Sequence, residues 1–168
     1  LFSEDRNFEQ HPGIDPLAML RASFQYLQTG RPVSGGSTVT MQLARRLLGP
    51  RPRTIGAKAD EMLLALYLEW RLPKERILEL YLNEIEWGDG IYGVEAAART
   101  YFSVPASALG PEQAALLAGA IVNPRRLTIA APTPRLKRRQ QLILRRMGAV
   151  TPPPDRPGEQ NPERRLPR

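Results

Sequence analysis

The stretch 73–102, PKERILELYLNEIEWGDGIYGVEAAARTYF, decides the fold. Ile77, Leu78, Tyr81 and Leu82 recur at helical spacing, which predicts a helix over 73–83 with those side chains facing inward. Pro73 suits the first turn of that helix. Three glycines within 87–93 predict a tight loop whose backbone needs positive φ or close approach. A short helix over 94–102 follows. The block therefore reads mainly as packing: two helices and the turn that joins them.

Working outward, helices recur along most of the chain. On the N-terminal side, 57–71 is a long helix whose second half, 62–68, is apolar all round, so it is expected to be central and buried. Residues 51–56 read as a mobile linker. Before them, 39–48 is a helix stopped by Gly49-Pro50, and 33–38 is a Gly/Ser/Thr loop. A segment from Asp15 or Pro16 to about Gln28 sets Leu17, Leu20, Phe24 and Leu27 at spacings of three and four, and Gly30-Arg31-Pro32 breaks it. On the C-terminal side, Pro111 opens a helix to Val122, ended by Asn123-Pro124. A basic helix over 134–147 has Gly148 placed as its cap. From Ala149 onward there are six prolines in twenty residues and almost nothing apolar, which predicts a disordered tail. No strand-like alternation and no internal repeat is visible. The expected domain is 1–148, with 149–168 as tail.

Composition narrows the chemistry. The 168 residues fit one domain with room for a small second lobe. The absence of cysteine excludes disulfides, thiolate nucleophiles and Cys-ligated zinc. His11 is the single histidine, which excludes HExxH zinc chemistry. The net charge is +7, and 125–168 alone carries 12 Arg or Lys against 3 acids. That basic quarter suits anionic lipid headgroups, diphosphates or nucleic acid, or simply a solvated helix face. No aromatic residues interleave with it, which weakens base stacking. Leu1 in place of Met predicts that further residues precede this stretch.

Four segments could carry chemistry. EDRNFEQHPG, 4–13, gathers Glu4, Asp5, Phe8, His11 and Gly13. SGGSTVTMQ, 34–42, offers free N–H groups and hydroxyls at a helix entry, suited to an anionic oxygen, although Ser37 or Thr38 serving only as an N-cap is the better reading of that motif alone. Lys58 and Glu61 share one helix face, either as a surface ion pair worth about 0.3 kcal/mol or as a carboxylate held beside a cation, with Arg45 and Arg53 near in sequence. The opening block closes the set, with Asn83 at the end of its first helix.

In this order, EDxxFxxHxG, GGSTxTxQ, KxxE and RILELYLNxxxxGxGxYGxEAAAxxYF resemble the peptidoglycan glycosyltransferases, the family of penicillin-binding proteins and monofunctional transglycosylases. The likeness runs from Glu4 to about Met147. It implies an all-α, lysozyme-like fold with a larger head lobe and a small membrane-facing jaw around 17–55. It implies polymerisation of lipid II into β-1,4-linked glycan, with inversion and release of undecaprenyl diphosphate. By position, Glu4 is the general base and Glu61 the second catalytic acid. Asp5, Ser37, Thr38, Gln42, Arg45, Arg53 and Lys58 match substrate-binding positions. Phe8, His11, Gly13 and Asn83 match structural support.

Departures are Met41, where many members have glutamine, and Ala57, where arginine often precedes the lysine. HPGIDPLAMLRA and GGSTVTMQ lean to the bifunctional branch, and NPRRL and RRQQLILRRM to the monofunctional one. The resemblance implies lipid II, lipid-linked glycan and the bacterial membrane surface as partners, with other cell-wall synthesis proteins as candidates and no nucleic acid. It implies a place on the outer face of the bacterial inner membrane, through an anchor this stretch lacks. The sequence requires no cofactor and leaves room for magnesium or manganese at the diphosphate. Two rivals remain: a glycan-cleaving enzyme on the same scaffold, and a basic nucleic-acid or anionic-membrane binding module built on 134–147.

Overall fold

Helices dominate the computed structural model, which describes residues 4–30, 36–52 and 54–148. The expected tail at 149–168, Arg53 and part of the 33–38 loop lie outside the described residues. A turn of 3-10 helix at Phe8–Gln10 precedes α1 (Pro16–Thr29), α2 (Val39–Leu47), α3 (Ile55–Arg71) and α4 (Lys74–Glu84). A two-stranded hairpin, β1 (Glu86–Gly88) and β2 (Ile91–Tyr92), leads to α5 (Val94–Phe102), α6 (Pro111–Ala120) and α7 (Pro134–Gly148).

The body forms around α2. Thr38 caps it by accepting the Met41 N–H at 3.1 Å, and Val39, Thr40, Met41, Leu43 and Ala44 are all buried. A nine-residue helix buried on most of its circumference must be central. It packs between α3 and α4, with Ala65, Leu68, Ile77 and Tyr81 in the shared core. Residues 39–47, expected in the small jaw, therefore belong to the main body.

α3 departs from expectation in the opposite sense. Only Ala65 and Leu68 of the apolar 62–68 run are buried, while Leu63, Leu66, Tyr67 and then Trp70 are exposed. One side of α3 meets α2 and α4, and among the described residues no element covers the other. Periodicity reports how apolar a helix is, not how many neighbours it has.

Pro73 stands just before α4 as its cap residue, not inside the first turn, with φ −68° and ψ 157°. Extended Leu72 before it follows from the clash that proline imposes on its predecessor. The unanticipated hairpin pairs Glu86 with Tyr92 and Gly88 with Ile91 through an irregularity, too short for two-residue alternation to show in sequence. Gly88 is needed for close approach: a Cβ there would collide with the Tyr101 hydroxyl, which donates to the Trp87 carbonyl at 3.3 Å. α7 lies across α6 and buries Leu136 and Ile143 against it. Gly148, expected as the cap of α7, is its last helical residue.

α1 stands apart. Asp15 caps its start by accepting the Ala18 N–H at 2.9 Å, and Gly30 ends it in the left-handed region with φ 62°. Yet none of its side chains is buried. Leu17, Leu20, Phe24 and Leu27 form one stripe, and that stripe faces out.

Candidate active site

The first motif folds back onto the start of α2 through a set of buried polar contacts. Asp5 is buried, and both its oxygens lie 3.0 Å from His11 Nε2. His11 Nδ1 accepts the Gly13 N–H at 3.2 Å, so the ring proton sits on Nε2 and is donated to Asp5. Asp5 Oδ2 also accepts the Val39 N–H at 3.0 Å, one of the unsatisfied donors at a helix start. Thr38 Oγ1 donates to the Gly13 carbonyl at 2.6 Å. His11 therefore orients the loop, as its sequence position suggests. Asp5 and Thr38, expected among the substrate contacts, instead spend their hydrogen-bonding groups inside the protein. Phe8 is fully buried, with Lys74 Nζ 4.4 Å from its ring centre. That lysine also reaches the His11 carbonyl at 2.6 Å and Glu69 at 2.8 Å.

These ties present Glu4 to a mostly apolar cavity of about 180 Å3, bordered by Val39, Leu78, Tyr81, Trp87 and Leu117 among others. Burial pushes the Glu4 carboxyl above the ordinary glutamate value, against a hydrogen bond from Gln42 and the positive charge of Arg139. The Gln42 side chain bridges outward too, since its Oε1 accepts the Tyr81 hydroxyl at 3.1 Å. Burial, then the nearby Glu4 charge, pushes the Tyr81 phenol far up, so it remains a donor. Two buried polar atoms here have no hydrogen-bond partner: Glu4 Oε1 and Trp87 Nε1. An acid that borders a cavity, with its proton affinity raised by desolvation and one oxygen that accepts no hydrogen bond, is equipped to take a proton from a bound hydroxyl.

The second acid, Glu61 on α3, faces α2 one turn beyond Gln42. Lys58 Nζ donates to Glu61 Oε2 at 2.9 Å and to Ser37 Oγ at 2.8 Å. Arg45 Nε lies 3.8 Å from Glu61 Oε1. The Glu61 side chain is only 13% exposed, so this is no ordinary surface pair. Two cations around one carboxylate leave net positive charge at the site's rim. Gln42 and Arg45 are three residues apart, so Glu4 and Glu61 are held at points about 4.5 Å apart along one helix. Asn83 is exposed, and its side chain donates to the Glu79 carbonyl of its own helix at 3.0 Å, so its support is local.

The sequence missed one neighbour of Glu4 and one support behind the site. Arg139 lay inside a basic run read as a lipid-facing surface. Its spacing from Leu136 and Ile143 was the available signal, because 136, 139 and 143 share one stripe. Glu86, buried between Arg125 at 3.0 Å and Arg46 at 3.8 Å, ties the hairpin to α2 and to the segment after α6. Nothing local in the sequence marks that long-range triad.

Comparison with known proteins places this geometry. Residues 1–148 match the family described as Transglycosylase. The biosynthetic peptidoglycan transglycosylase of Nitrosomonas eutropha is 46% identical over 145 residues, covering 86% of this chain and 59% of that protein. Its namesake from Janthinobacterium is 45% identical over 151 residues, 90% of this chain and 65% of the relative. Penicillin-binding protein 1A of Aquifex aeolicus is 45% identical over 153 residues, 89% of this chain but 21% of that protein. The chain thus spans about three fifths of the length of the biosynthetic peptidoglycan transglycosylases it matches. With its mostly helical, lysozyme-like architecture and its motifs in order, the chain belongs to the transglycosylase family.

Proposed function

We propose that this chain polymerises lipid II into β-1,4-linked glycan. The convergence on α2 carries the reading: Gln42 holds a desolvated carboxylate, and one turn later Arg45 joins a second carboxylate already paired with Lys58. Glu4 takes the proton from the 4-hydroxyl of the acceptor N-acetylglucosamine. The freed oxygen bonds to C1 of the donor sugar. The bond from C1 to the diphosphate oxygen breaks on the opposite face, its electron pair leaves on undecaprenyl diphosphate, and the configuration inverts. Lys58, Arg45 and the Ser37 hydroxyl receive the leaving charge, and Glu61 keeps the two cations oriented.

The donor set around Glu61 does not make a metal site by itself. Both its oxygens already face cations, and among the described residues no three acidic or histidine side chains gather.

No helix among the described residues is long and apolar enough to cross a membrane. The outward stripe of α1 and the basic α7 suit the surface of a bilayer with anionic headgroups. The outer face of the bacterial inner membrane is the place we propose for it, a reading supported by its resemblance to cell-wall synthesis enzymes. Lipid II and lipid-linked glycan are its partners, and other cell-wall synthesis proteins are the next to seek.

The test is polymerisation of labelled lipid II in detergent, read as a ladder of glycan lengths. Wild-type protein should give polymer. Lys58→Met and Glu61→Gln should each lower kcat/KM by roughly a hundredfold, the scale for removing one donor or its support from a developing anion. Release of sugar from finished peptidoglycan with lipid II left untouched would identify a glycan-cleaving enzyme and overturn the proposal.

A further inference from the structure

α7 holds six of the basic residues in the described part of the chain, and one of them turns inward. Arg139 lies between buried Leu136 and Ile143 on the packed stripe of the helix. Its Nε donates to the Gly119 carbonyl of α6 at 3.1 Å. The far end of the same guanidinium lies 3.8 Å from Glu4 Oε1, the buried oxygen that accepts no hydrogen bond. Glu4 is thus faced by Gln42 from α2, Tyr81 from α4 and Arg139 from α7, with Asp5 beside it in the chain. Of these, only Arg139 brings a positive side chain to the carboxylate.

We propose that Arg139 is a positioning residue for Glu4, clamped on the Gly119 carbonyl so that its free end aims the carboxylate across the cavity and keeps it ionised. The inference rests on the reading of Glu4 as the base. An arginine is required for both tasks. One nitrogen of the rigid fork binds the carbonyl while another addresses the acid, and a lysine has a single nitrogen for the two. The Arg139 charge is also one of the influences that hold the Glu4 proton affinity down against burial. Without it the base would be protonated over more of the working range and the acid side of the rate profile would move to higher pH.

The full chain is compared with Arg139→Gln and Arg139→Lys in two measurements. The first is a carbon-13 NMR titration of the glutamate carboxylates, with Glu4 assigned by the signal missing in Glu4→Gln. The second is the pH profile of lipid II polymerisation. In Arg139→Gln the Glu4 midpoint should move upward. Polymerisation should fall by about fivefold or more at pH 6 and by less than about threefold at pH 8.5, with KM unchanged. In Arg139→Lys the charge remains and the aim is lost, so the midpoint should stay near wild type while kcat falls at every pH. An unmoved Glu4 midpoint in Arg139→Gln overturns the proposal, as does a loss equal at all pH values. A wild-type protein that makes no glycan overturns the proposed function alone, because the midpoint shift decides Arg139 without any turnover. Should Arg139→Gln fail to fold, a midpoint in Arg139→Lys that rises despite the retained charge overturns the proposal.

Discussion

Replacing Glu4 by glutamine should abolish glycan synthesis, by at least about a hundredfold, while leaving the protein as stable as before or more so at pH 7. The two effects have one cause. Burial disfavours the charged form of Glu4 and raises its affinity for a proton. The folded protein therefore binds that proton more readily than the unfolded chain does. Between the ordinary glutamate value and the raised one, stability falls as pH rises, because the fold must hold a carboxylate it disfavours. Glutamine keeps the shape and the chance of a hydrogen bond to Gln42, and it removes that cost. The same displacement sets the sign of the activity profile. A base works only when ionised, so wild-type polymerisation should fail on the acid side at a pH above that of a solvent-exposed glutamate. Thermal melts of both proteins at pH 5 and pH 8, with polymerisation across the same range, would check this. A Glu4→Gln protein that keeps a tenth of the activity, or that is markedly less stable at pH 8, would count against Glu4 as a desolvated base.

Gly13→Ala should cost about 2–4 kcal/mol of stability and take most of the activity with it. Gly13 has φ +88°, a region side chains rarely adopt. A Cβ there would also sit 2.8 Å from Glu69 Cγ and 3.0 Å from the Ala65 carbonyl of α3. The glutamate stem has limited room to yield, since Glu69 is held by Thr40 at 2.5 Å and Lys74 at 2.8 Å, and the carbonyl belongs to a helix. Gly13 further offers its N–H to His11 and its carbonyl to Thr38, the two contacts that tie the first motif to α2. Displacing it would loosen Asp5, and with it the neighbouring Glu4. Denaturant unfolding measures the cost, and a loss below about 0.5 kcal/mol would show that the loop relaxes freely.

The helices were largely legible in the sequence because each has its own periodicity and stop signals. The caps at Asp15 and Thr38 and the glycine-rich joint before α5 rest on local chemistry. Glu4, Gln42, Lys58 and Glu61, which the ordered motifs single out, stand together in the candidate site, and the Lys58–Glu61 contact follows from helical spacing alone. What was illegible depends on neighbours distant in the chain. Burial of α2 on most sides and exposure of half of α3 are decided by which helices surround them. Arg139 becomes part of the site only because α7 crosses α6 beside Glu4. Asp5 and Thr38 look like ligand-binding groups until their partners His11, Val39 and Gly13 are seen to satisfy them.

The isolation of α1 carries a thermodynamic consequence. Fourteen residues are near the lower limit for a helix to persist in water on its own, and α1 adds no buried side chain to help it. Among the described residues, its ties to the rest of the protein include the Asn7 side chain, which donates to the capping Asp15 at 3.3 Å, and the close passage of Gly36 beside Ala22. Its order is then a quantity that an apolar surface can supply. Part of the attraction between such a surface and the Leu17–Phe24 stripe is consumed in fixing the helix, so the apparent affinity is lower than the exposed area suggests. A grip discounted in this way is readily released.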